Sequence, residues 1–104
     1  MVIEMRTYTL KPGTSAAYLK IYEEKGLEVH KHVLGNLIGY FTTEIGDINQ
    51  VIHLWGYDSF EDRQRRRAEL ASNTTWQAFL QLAFPYFVSQ EVQLLNATQF
   101  SPIR

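Results

Sequence analysis

The stretch Gln50-Val51-Ile52-His53-Leu54-Trp55-Gly56-Tyr57 decides how the rest of the chain is read. It interleaves two sets of side chains, His53, Trp55 and Tyr57 at one parity and Ile52, Leu54 and Gly56 at the other. Successive side chains of a strand point to opposite faces, so one strand here presents two unlike surfaces. Just upstream, Gly46-Asp47-Ile48-Asn49 is a turn and Leu37–Ile45 is a second β-rich run, so the two strands form a hairpin. Just downstream, Asp58-Ser59 opens a helix. Ser59 and Asp62 stand like a capping box with Asp in the usual Glu position.

Working outward, Val2–Leu10 alternates and forms a first strand, broken by Lys11-Pro12-Gly13. Thr14 or Ser15 then caps a helix whose inward positions, Tyr18, Tyr22, Gly26, Val29 and Val33, recur at steps of three and four. Gly26 weakens or kinks this helix and Gly35 ends it. After Ser59 the helix runs until Ser72-Asn73-Thr74 interrupts it. A further helix carries Trp76, Phe79, Leu80, Ala83 and Phe84 on one stripe, expected to be core, before Pro85 stops it. Val88–Leu95 is a fourth strand, and Asn96–Arg104 has no strong pattern. The order β-α-β-β-α-β, with right-handed crossovers, predicts an α+β, ferredoxin-like antiparallel sheet with its helices on one face and the second helical region split. Residues 1–104 are expected to form a single domain.

Composition narrows the function classes. The 104 residues carry ten Lys and Arg against eleven Asp and Glu, a net charge of −1, so no electrostatic footprint for nucleic acid or an anionic membrane is present. Cysteine is absent, which removes disulfides and thiolate chemistry. No apolar run approaches a membrane span and the start lacks signal-peptide order, so a cytoplasmic protein is expected. Aromatic residues reach 13 %, and such side chains seek cores, interfaces or ligand pockets.

Sorting by parity gives two faces. The set Ile3, Met5, Thr7, Gly39, Phe41, Thr43, Ile45, Ile52, Leu54, Gly56, Val92 and Leu94 is small or apolar and is expected under the helices. The set Glu4, Arg6, Tyr8, Tyr40, Thr42, Glu44, His53, Trp55, Tyr57, Ser89, Glu91 and Gln93 mixes rings with ionisable groups and is expected on the open side. A monomer would expose those rings to water, an apolar patch larger than monomers usually tolerate. A second copy related by a two-fold axis would cover them and enclose a space between the two sheets.

Glu4-Met5-Arg6-Thr7-Tyr8, Gly39-Tyr40-Phe41, His53-Leu54-Trp55-Gly56-Tyr57 and Ser59…Arg63, followed by Trp76, resemble the NIPSNAP family from Ile3 to about Phe100. The resemblance implies the dimeric α+β barrel superfamily, whose relatives include cofactor-independent monooxygenases, haem-degrading enzymes, small isomerases and proteins without known chemistry. The family supplies no established catalytic residues. With no leader before the first strand, the chain more resembles the short bacterial members.

The candidate binding residues are Glu4, Arg6, Tyr8, Tyr40, His53, Trp55, Tyr57 and Arg63. Arg6 can hold a carboxylate or enolate oxygen, Glu4 can orient Arg6, and His53 can transfer a proton. The rings can sandwich a flat aromatic or quinone-like molecule. The other reading of the same residues is a dimer core, with Glu4–Arg6 as a buried ion pair; the protein would then be an interaction module with a purely structural barrel. His30 and His32 diverge by about 200° on a helix and cannot share a metal ion. Arg63, Arg65, Arg66 and Arg67 lie among acidic residues and read as a solvated face, except that Arg63, one turn past Ser59, can reach back toward the sheet. No cofactor is expected: His53, His30 and His32 do not match the haem-ligand positions of the haem-degrading relatives.

Overall fold

Four strands, β1 (Val2–Leu10), β2 (Asn36–Thr42), β3 (Gln50–Tyr57) and β4 (Phe87–Asn96), form one antiparallel sheet in the order β2-β3-β1-β4. The computed structural model describes Met1–Arg104 throughout. Four helices complete it: α1 (Ser15–Ile21), α2 (Leu27–Leu34), α3 (Phe60–Ser72) and α4 (Thr74–Ala83). The α+β, ferredoxin-like reading stands, and β3 begins and ends where the alternation does. β2 stops at Thr42 rather than Ile45, because Thr43 already belongs to the turn region leading into β3. No helix is long and apolar enough to cross a membrane.

Local chemistry explains the helix boundaries. Gly26 closes a π-helical turn, Tyr22–Gly26, that joins α1 to α2. A Cβ there would meet the Phe79 ring at 3.0 Å, so the missing side chain lets α4 approach the turn closely. Gly35, at φ 92°, ends α2 in a conformation that side-chain-bearing residues rarely adopt. Ser59 Oγ accepts from the Asp62 amide at 3.0 Å and caps α3, while the Asp62 carboxylate accepts from the Asp58 amide at 3.3 Å. Asn73 both ends α3 and caps α4, accepting from the Trp76 amide at 2.9 Å.

The two faces of the sheet are exchanged relative to the parity expectation. Val51, His53, Trp55 and Tyr57 are buried under the helices with Leu34, Leu70, Trp76 and Phe79. The register places Glu4 opposite Trp55 and Arg6 opposite His53, so the ring-and-charge set is the covered one. The apolar set of Met5, Gly39, Phe41, Ile52 and Leu54 faces outward and is half-buried or exposed; only Ile3 and Gly56 on that side are buried. Two causes act together. The helices present rings of their own, Tyr18, Tyr22, Trp76 and Phe79, which match a ring-bearing sheet better than a small-residue one. The covered polar groups also find partners, which removes most of the cost of burying them.

Two further expectations change. Val92 pairs with Arg6 and Leu94 with Glu4, so these apolar residues of β4 share the face of the charged set. Parity within one strand says nothing about its neighbour; only the register links them. The helices stop short of β4, whose residues from Val88 to Asn96 are exposed on both faces. Phe84, expected in the core stripe, is 51 % exposed because Pro85 turns the chain into a 3-10 turn and swings it to the rim.

Candidate functional site

The residues singled out by sequence divide into two groups on the covered face. Glu4, Trp55, Tyr57 and Arg63 form a support, and Arg6, Tyr8, Tyr40 and His53 line a cavity. The latter four thus line a space within one chain, between sheet and helices.

Glu4 is fully buried at the middle of the support. Arg63 reaches down from α3 and donates from Nε to Glu4 Oε2 at 2.6 Å, as its position one turn past Ser59 suggested. Arg6 Nη1 lies 3.5 Å from the same oxygen, and the Tyr57 hydroxyl donates to Oε1 at 3.4 Å. Two guanidinium groups and a phenol therefore surround one carboxylate. Such an arrangement holds a buried charge only while all members are present. Arg6 turns its Nε to the Tyr8 hydroxyl at 2.9 Å, which carries its side chain along the sheet toward the cavity.

The cavity has a volume of about 130 Å³. Its walls are rings: Tyr8 from β1, Tyr40 from β2, Tyr18 and Tyr22 from the first helical region, and Trp76 and Phe79 from α4. Exposed Phe84 and Gln90 rim it on the side toward β4. Its polar lining consists of Arg6, Arg67, His30, His53, Gln90 and the tyrosine hydroxyls, with no carboxylate.

The two buried histidines are tied differently. His30 Nδ1 lies 2.8 Å from the Tyr22 hydroxyl, and its ring stacks on Trp76 at 4.3 Å between centroids. His53 stacks on Tyr40 at 4.6 Å and receives the Trp55 indole N–H on Nδ1 at 2.7 Å. An indole nitrogen only donates, so Nδ1 of His53 is the acceptor and its proton sits on Nε2. That Nε2 is buried and has no partner in the chain. Burial, reinforced by Arg6 and Arg67, pushes His53 down to about 3; burial, then His53 and the same arginines, pushes His30 down to about 2. Both are neutral at physiological pH. Burial also raises Tyr18, Tyr22 and Tyr40, so the phenols stay protonated.

Sequence reading missed His30, Arg67 and the ring walls from the helices. The place of His30 near a helix end reads as polar and ordinary, although it stands four residues after Gly26 and eight after Tyr22, on the inward stripe. Its neighbour His32 is exposed. Acidic neighbours place Arg67 on a solvated face, yet it follows Arg63 by one helical turn and shares its direction. Trp76 and Phe79 are core, as expected, but their inner surfaces also bound the cavity.

Comparison with known proteins agrees with this architecture. A sequence model of the NIPSNAP family matches residues 3–102. A NIPSNAP family protein from Agrobacterium tumefaciens is 45 % identical and superimposes with a TM-score of 0.96 over 99 % of this chain and 98 % of its own. A NIPSNAP family protein of unknown function from the same organism is 41 % identical, with a TM-score of 0.97 over 100 % of this chain and 94 % of that one. Human NipSnap homolog 3A is 35 % identical over 99 % of this chain, which spans only 42 % of that protein's length. An antibiotic biosynthesis monooxygenase shares the fold at a TM-score of 0.67 and 12 % identity.

Proposed function

This chain belongs to the NIPSNAP family, and we propose that it is a homodimeric small-molecule-binding protein whose ligand, a small aromatic or quinone-like compound, sits in the cavity between sheet and helices. The cavity itself carries this reading. A space of about 130 Å³ walled mainly by aromatic rings has the size of apolar cavities that hold a single benzene ring. It is smaller than the roughly 300 Å³ at which drug-sized ligands are accommodated, so one ring with one or two oxygen substituents is the limit. The buried N–H of His53 and the nearby guanidinium groups supply polar contacts among apolar walls, the usual make-up of a binding pocket.

The dimer follows from the other side of the sheet. Met5, Phe41, Ile52 and Leu54 form an apolar surface that no element of the chain covers, and Glu91 on the edge strand is the only charged residue of that face. A surface without opposing charges is self-complementary, so the occupant that suits it is a second copy packed face to face about a two-fold axis. The cavities then lie on the outer sides of the paired sheets, one in each protomer.

A thermal-shift and NMR titration with single-ring carbonyl compounds such as acetophenone and benzamide tests the cavity. The expected result is a concentration-dependent rise in Tm with resonance changes at Tyr8, Tyr40, His53 and Trp76. Leu80→Phe, which adds bulk to the cavity lining, is expected to abolish both while the chain stays folded. Binding undiminished in that variant, or changes confined to other surfaces, would disprove the assignment.

A further inference from the structure

The charges around the cavity do not balance. Glu4 is the one carboxylate of the covered face, and Arg6 and Arg63 both turn to it. Arg67 lines the same cavity, is half-buried, and forms neither an ion pair nor a hydrogen bond within the chain. Its neighbours Arg65 and Arg66 both pair with Asp62, and Arg66 also donates to the Val33 carbonyl. Burial, with Arg6 close by, weighs on the Arg67 guanidinium, lowering it from its usual value, yet a guanidinium keeps its charge in proteins. A guanidinium that has no partner in the chain and lines an aromatic cavity is free to take an anion.

The second observation is the orientation of His53. The indole of Trp55 locks Nδ1 as an acceptor and so leaves Nε2–H as a donor, buried and without a partner. A neutral imidazole N–H accommodates an anion without needing a proton of its own to move. Its ring, stacked on Tyr40 and edge-on to Tyr8, is fixed in plane, which fixes the line of that donor.

We propose that the cavity selects a planar, single-ring oxyanion, an aryl carboxylate, whose ring packs among the tyrosines and Trp76 and whose oxygens take the Nε2–H of His53 and the guanidinium of Arg67. This rests on the cavity being the ligand site, and it adds the charge of the ligand and the two groups that read it. Trp55 is a positioning residue here: it acts on the ligand only by holding the His53 tautomer.

The test uses the intact protein with benzoate and benzamide, which share a ring and differ in charge, titrated at equal ionic strength. The binding signals are Trp fluorescence and the ¹⁵N resonances of the histidine rings. Benzoate is expected to bind about tenfold to a hundredfold more tightly than benzamide, the range set by hydrogen bonds to charged groups. Arg67→Gln should erase that preference, leaving benzamide binding within a few-fold. His53 should show the Nε2-protonated neutral form before titration and a shift of that N–H resonance on adding benzoate. Trp55→Phe should remove the fixed tautomer and lower benzoate affinity without changing the Arg67 effect. Equal binding of the two probes would overturn the proposed selectivity and leave the cavity as a site for neutral rings. Failure of both probes to perturb His53 or Trp76 would overturn the cavity reading together with it.

Discussion

The two faces of one sheet behave as different materials. Under the helices, Glu4, Arg6, His53, Trp55 and Tyr57 are buried and most are hydrogen-bonded, so that face is held by directional contacts with fixed partners. On the outer side, Met5, Phe41, Ile52 and Leu54 make no such contacts and stay half-buried or exposed. Covering a polar, ring-rich face demands matched helices from the same chain, because each group needs its own partner in a set place. Covering an apolar face demands only shape and area, which a second copy can supply. The side with the ionisable groups is therefore enclosed by the chain itself, and the apolar side is left uncovered by it.

The strongest way to break this contrast is to remove the carboxylate at the centre of the covered face. Glu4→Gln leaves buried Arg6 and half-buried Arg63 without their carboxylate, with an expected loss of about 3 kcal/mol in urea unfolding. Glu91→Gln, on the outer face of the exposed edge strand, should cost less than about 0.5 kcal/mol. Similar losses in the two variants would mean that the covered network adds nothing beyond the packing of its atoms.

Acid comes next. His30 and His53 are held neutral in the fold, at about 2 and about 3, against 6.5 for the unprotected side chain. Below pH 6.5 the unfolded chain takes up protons that the folded chain refuses, so stability falls as pH drops, until about 3 for His53 and about 2 for His30. The slope reaches up to about 1.4 kcal/mol per pH unit for each histidine, or about 2 kcal/mol each by pH 5. Denaturant unfolding between pH 7.5 and 5 should show it, with the slope reduced in His53→Gln and retained in His32→Asn, since His32 is exposed. A flat profile in the parent protein would show that the covered face admits water.

The smallest effect on folding belongs to the outer face. Phe41, 54 % exposed, should be replaceable by Ser at a cost below about 1 kcal/mol to the single chain. The same change should raise the dimer dissociation constant about tenfold or more, read by sedimentation at micromolar concentration. A parent protein that sediments as a monomer throughout that range would remove the dimer and leave the outer face unexplained.

Much of this architecture is legible in the sequence. Alternation located β1 and β3, Gly26 and Gly35 marked the weak point and the end of the first helical region, and Ser59 with Asp62 marked the start of α3. These are short-range effects, set by backbone conformation and by groups a few residues apart. The candidate residues were also legible as a group, because register follows from the fold and brings Glu4, Arg6, His53 and Trp55 side by side. Arg63 was found by the same local reasoning, from its distance past the cap.

Which side of the sheet those residues occupy was a different kind of question. Hydrophobicity alone favours placing Ile52, Leu54 and Met5 inside, and that preference is overruled by partners distant in sequence: Arg63 for Glu4, 59 residues away, His30 of α2 for His53, and Tyr18 and Tyr22 for Tyr40. The amino-acid order determined the elements, their succession and the identity of the unusual residues, since each of those depends on near neighbours. Only the tertiary structure decided that Arg6, His53 and Arg67 meet around one cavity and that the apolar face looks outward. Burying a charge or an imidazole is favourable or ruinous according to what stands opposite, and that is settled when the helices close over the sheet.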